Sequence, residues 1–253
     1  MKTKRKAFVL WPVLLATVIL LAALGLQNVG PAAGHAEIAA FAKENHIPLS
    51  QWPGEIVELL EKNPETKEFV LHYPLRSRFQ EIGSMEQYEN CGEVPLLMQW
   101  DLRWGYHEYG GKVMGLSGCG PTCLSMVCLY LLGDGGYDPA YIADFGQREG
   151  YYVPGIGSSW TLISEGGPKL GLDVDELPLD ENLILRELKA GNPVICAMGP
   201  GDFTTSGHFI VIVGTQDGKL RIHDPNSIAR SRQLWDYDQI SGQIRNLWTC
   251  KVP

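Results

Sequence analysis

The chain has 253 residues, 45% of them hydrophobic, and a formal charge of −8 that becomes −12 once the four basic groups of residues 1–34 are set aside. An acidic body of this kind lacks the basic patch that nucleic acid or an anionic membrane surface requires, which argues against both as partners of the folded part. The six cysteines, Cys91, Cys119, Cys123, Cys128, Cys196 and Cys250, are too few and too irregular for a disulfide-stapled scaffold, and without a CxxC pair or an HExxH they predict no metal and no cofactor.

Residues 1–34 place Lys2, Lys4, Arg5 and Lys6 ahead of an uncharged apolar run from Ala7 to Leu26, the pattern of a signal peptide or N-terminal membrane anchor. The run approaches the roughly 20 residues that cross a bilayer as a helix, so residues 7–26 are expected to remain as an anchor, with cleavage near Ala33 or Ala36 as the alternative. The basic end is expected in the cytoplasm and the body outside, either anchored or secreted. Residues 35–90 read as a helical extension. Pro53 followed by Ile56, Leu59 and Leu60 gives one short amphipathic helix, and Asn63 with Pro64 caps another.

From residue 91 to 253 the pattern is mixed α and β. "PTCLSMVCLYLLG" reads as a buried central helix stopped by Gly133. "ENLILRELKAG" is a second helix ending at Gly191, and it leads into the strands "PVICAM", "HFIVIVG" and "KLRIHDP", the last two separated by "GTQDG". The simplest arrangement is α+β, with the central helix packed against an antiparallel sheet.

Cys119 stands between Gly118 and Gly120 at the entrance of the central helix. A free thiol is mostly protonated at neutral pH, and the unpaired N–H groups of a helix N-terminus favour its thiolate. The glycines are expected to permit a sharp turn and the approach of a substrate chain. Pairing Val213 with Lys219 puts His208 opposite Asp224, so that the carboxylate orients the imidazole as a general base. In that register Ile210, Ile212, Leu220 and Ile222 continue the same face as a core stripe. Cys123, Cys128 and Cys196, set in apolar runs, read as packing residues.

With these residues in view, residues 94–226 resemble the C39-like cysteine peptidase family, whose fold is papain-like. The resemblance rests on "VPLLMQWDLRWGYHEYGG", "SGCGPTCLSM", "GSSWTLISEGGPKLGL", "AGNPVICAM", "GHFIVIVG" and "HDPN", in that order. It implies Cys119 as nucleophile, His208 as general base and acid, and Asp224 as the orienting residue. Papain-like enzymes carry an oxyanion glutamine a few residues before the cysteine. Gln99, the candidate here, lies 20 residues before it. Transporter-fused relatives cleave double-glycine leader peptides, but this sequence has no Walker motif and their substrate is not carried over.

The expected activity is an exported thiol hydrolase acting on peptide or isopeptide bonds, with a peptide or cell-wall peptide as substrate. Acyl transfer to an amine is the related alternative. From another class comes a non-catalytic peptide- or wall-binding module that retains the fold, and a third reading makes the cysteines structural or redox groups.

Overall fold

The computed structural model describes residues 31–79 and 85–253. The basic cluster Lys2 to Lys6 and the apolar run of residues 7–26 lie outside them. No helix among the described residues is long and apolar enough to cross a membrane.

The N-terminal part contains α1 (Pro31–Glu44), α2 (Gly54–Lys62) and α3 (Lys67–His72). Pro53 precedes α2, whose Ile56 and Leu60 are buried. Asn63 opens a 3-10 turn, Pro64–Thr66, by accepting a hydrogen bond from Glu65 N at 3.1 Å, and α3 follows. Helices of 9 and 6 residues do not hold themselves in water, so packing must supply the stability. Trp52, Ile56, Leu60, Phe69 and Val70 form one apolar cluster that also takes in Trp100, Tyr106 and Leu116. Phe69 stacks on Tyr106 with ring centroids 4.6 Å apart, and the Tyr106 hydroxyl donates to the Phe69 carbonyl at 2.7 Å. The extension is thereby fastened to the segment that leads into Cys119.

The central helix α4 (Cys119–Leu132) ends at Gly133, which takes the left-handed conformation without a Cβ penalty. Next comes α5 (Pro139–Arg148), capped by Asp138. The main sheet holds β1 (Asp173–Glu176), β2 (Val194–Met198), β3 (His208–Gln216), β4 (Lys219–His223), β5 (Leu234–Trp235) and β6 (Ile244–Lys251). Its order is β1-β6-β2-β3-β4-β5 and every pairing is antiparallel. Ile195, Ala197, Phe209 and Val211 pack with α4, while Ile210, Ile212, Leu220 and Ile222 pack on the other side with Ile184 of α6 (Glu181–Lys189). The central helix thus lies on an antiparallel sheet, as the resemblance implied.

The β3–β4 hairpin corrects the expected register. Gln216, not Val213, pairs with Lys219, and the connection is only Asp217 and Gly218, both at positive φ (53° and 76°). A two-residue turn of this kind matches the twist of its strands. By itself it would put residues 208 and 224 on opposite faces, since one residue of slip inverts every side chain. The register shifts between Ile212 and Gly214, however, leaving Val213 as an extra residue, and beyond it Ile212 faces Ile222 and Val211 faces His223. This bulge returns His208 and Asp224 to one side of the hairpin, two residues apart along the strands instead of directly opposite.

Candidate active site

Cys119 is the first residue of α4, and the backbone N–H groups of Phe209 and Gly120 favour its thiolate. The flanking glycines serve a different purpose from the expected one. Neither has positive φ. A Cβ on Gly118 would stand 2.7 Å from the Met114 carbonyl oxygen, and one on Gly120 would stand 2.5 Å from Ser158 Oγ. They let the protein's own backbone and Ser158 close tightly around the helix start. Ser158 is itself held by Tyr109, hydroxyl to hydroxyl at 2.7 Å.

His208 opens β3 and its side chain is almost wholly buried. Strict alternation would carry it with Ile210 and Ile212 toward α6, away from α4. At the first position of the strand the ring instead meets the thiol at the end of the sheet, where β2 stops and β3 begins. The core stripe of Ile210, Ile212, Leu220 and Ile222 therefore exists, but it does not share its face with α4. His208 Nε2 lies 2.7 Å from Asp224 Oδ1. That leaves Nδ1 as the ring nitrogen free to face the Cys119 thiol, whose charge and that of the ring act on each other.

Asp224 is fully buried just past β4, and its Oδ1 also accepts from Asn226 N at 2.8 Å. Its second oxygen takes a hydrogen bond from Arg230 Nε. Arg230 belongs to α7 (Ile228–Arg232), opened by Ser227, whose hydroxyl accepts from Arg230 N. Ser231 Oγ accepts from Asp224 N at 2.9 Å. A row of alternating groups results: thiol, imidazole, carboxylate, guanidinium. Sequence reasoning missed Arg230, although Ser227 as a helix cap with arginine three residues on was a readable signal.

The electrostatics separate Cys119 from the other cysteines. Burial pushes its thiol up, but the hydrogen bond and charge of His208, with the N–H groups of Phe209 and Gly120, outweigh that and leave it below the ordinary value. Burial pushes Cys91, Cys123, Cys128 and Cys196 up without such compensation, and Cys250 up to about 12. For His208, burial favours the neutral ring, yet Asp224 and Cys119 raise it above its ordinary value. Burial likewise pushes Asp224 up, and His208 and then Arg230 reverse this and hold it below the usual carboxylate range. Opposite shifts in a touching thiol and imidazole favour a thiolate–imidazolium pair.

Cys119 and His208 lie in a cleft of about 610 Å³ lined also by the Gly155–Ser158 loop, Trp160, Met198–Pro200, Gly207 and Arg245. Ile156 and Trp160 are exposed apolar side chains on its rim. Gln99 is buried, with Nε2 donating to the Gly115 carbonyl at 3.0 Å, and it is not among the residues lining the cleft. His107 is a surface partner of Asp144, Nε2 to Oδ1 at 2.7 Å. All six cysteines are unpaired.

The model of the Peptidase_C39 like family matches residues 92–250. Among solved structures, the chain is similar to the peptidase domain of Streptococcus ComA, a bi-functional ABC transporter involved in a quorum sensing pathway. The identity is 20% over 54% of this chain and 93% of that one, with a TM-score of 0.44. It is also similar to a putative C39-like peptidase from Bacillus anthracis, at 16% identity over 63% of this chain and 95% of that one, with a TM-score of 0.42. No curated protein matches it.

Proposed function

From the premise that this chain belongs to the Peptidase_C39 like family, we propose that it is an exported cysteine peptidase cleaving peptide or isopeptide bonds through Cys119, His208 and Asp224. The observation that carries the reading is the His208–Asp224 hydrogen bond with Cys119 and His208 lining one cleft of about 610 Å³. In this mechanism the Cys119 thiolate attacks the scissile carbonyl and the imidazolium gives its proton to the leaving amine. Water, losing a proton to neutral His208, then attacks the thioester and releases the acid. The backbone N–H of Cys119 at the start of α4 is assigned to the oxyanion. Gln99, with its amide on Gly115, is left as a brace rather than a donor.

Asp224 holds the imidazole through Nε2 so that Nδ1 faces the sulfur. Arg230 neutralises the carboxylate from behind, which keeps Asp224 ionised in a buried position. The exposed apolar rim at Ile156 and Trp160 suits side chains of a peptide substrate. Cleavage of a mixed library of peptides and cell-wall fragments by the parent, with no cleavage by Cys119→Ala, is the expected result. A folded parent that cleaves nothing and reacts no faster at Cys119 than an unfolded thiol would turn the reading to a binding module.

The basic cluster and apolar run at residues 2–26 support export, with the body outside the membrane and the cell wall as the proposed location of the substrate. Protease added to cells stripped of their wall is expected to digest residues 35–253. Protection of that body would refute the orientation.

A further inference from the structure

Resting on the catalytic reading of Cys119, His208 and Asp224, we infer that Glu65 of the N-terminal extension is a positioning residue for the site: its carboxylate grips the first turn of α7, the helix that brings Arg230 to Asp224. Glu65 Oε1 accepts from Ala229 N at 2.9 Å and from Ser227 Oγ at 3.2 Å, and Oε2 accepts from Ile228 N at 2.5 Å. Beside it Asn63 Nδ2 donates to the Asn226 carbonyl at 2.6 Å. These two residues are separated from their partners by more than 160 positions in the chain.

The contact fits its purpose chemically. A five-residue helix has little stability of its own, and its free N–H groups are satisfied here by a carboxylate from outside the peptidase-like part. The negative charge at the start of α7 is also the favourable sign there. What α7 then holds is the back of the site: Arg230 on Asp224 Oδ2, and Ser231 on Asp224 N. Asn63 fixes Asn226, whose own N–H lies on Asp224 Oδ1, the oxygen that also meets His208. Both oxygens of Asp224 are thus tied, at one remove, to the extension. Surface ion pairs of the same segment, such as Lys67 with Glu37, have no such continuation.

The test compares full-length parent, Glu65→Ala, Glu65→Gln and Lys67→Ala for kcat, KM and the pH dependence of Cys119 reactivity toward a thiol probe, with circular dichroism to verify folding. Glu65→Ala should lose kcat on the order of tenfold to a hundredfold at unchanged KM, since displacement of an orienting group acts on the transition state more than on binding. Its Cys119 profile should move toward that of an ordinary thiol. Glu65→Gln, which keeps an acceptor but not the charge, should fall between parent and Glu65→Ala, and Lys67→Ala should match the parent. A folded Glu65→Ala with parental kcat and profile, or with reduced kcat but an unmoved profile, overturns the inference. If Glu65→Ala does not fold, Glu65→Gln decides on the same two readouts, parental values again overturning it. A parent without low-pH reactivity at Cys119 would instead remove the catalytic reading on which the inference rests.

Discussion

Cys119→Ala is expected to abolish peptide cleavage, and His208→Ala to lower it by a factor on the order of 10⁴ or more, because nucleophile and base act as a unit and either loss removes the covalent route. Asp224→Ala should cost less than Cys119→Ala, since the thiol remains. It should nevertheless cost more than misorientation of the ring alone. With the carboxylate gone, the Arg230 guanidinium that donated to Oδ2 is left facing His208 without an intervening negative charge, which disfavours the imidazolium. Steady-state cleavage of a peptide found in the library, compared across the three folded variants, checks this order. Equal losses for Asp224→Ala and a surface control such as Asp144→Ala would contradict it.

Reactivity at low pH is the second large effect. A free thiol at pH 6 is only about 0.3% thiolate, whereas a thiol whose partner is an imidazolium is already ionised there, and the lower nucleophilicity of the less basic sulfur offsets part of the gain, leaving roughly a tenfold rate advantage. The sign follows from the two shifts. Cys119 lies below its ordinary value and His208 above its own, so the reactive pair exists from below the normal thiol range upward and is lost again only when His208 gives up its proton. Cys119 should therefore be modified at a nearly constant rate across neutral pH, where a free cysteine gains about tenfold per pH unit. His208→Ala should convert the flat profile into the rising one. Cys123, Cys128, Cys196 and Cys250, all buried and pushed up, should remain slow in the folded protein. Equal rates in parent and His208→Ala, both folded, would mean that no Cys–His pair exists.

Much of the local structure was legible because it depends on near neighbours. Asn63 and Pro64 announce a helical turn, Gly133 and Gly191 announce stops, and the apolar runs at Val194 and His208 announce strands. The position of Cys119 at the first turn of a buried helix also follows from its immediate sequence. The hairpin marks where such reading runs out. "DG" at residues 217–218 specifies a two-residue turn, and taking "GTQDG" as the whole loop moved the register; the same-side relation of His208 and Asp224 then survived through a bulge at Val213 that no short-range pattern signals.

By itself the sequence determined that the segments from Pro121 and from Glu181 are helical, which thiol stands at a helix entrance, and which histidine opens one strand and which aspartate follows the next. Only the tertiary structure decided that β6, from the far end of the chain, lies between β1 and β2. Only there does His208 meet Cys119 at the end of the sheet, against strict alternation, and do Arg230 and Glu65 stand behind Asp224. The reason is physical. Propensities, caps and turns act within a few residues, whereas strand order and ion pairing are chosen by which distant surfaces exclude water together and by which partners a buried charge must find there.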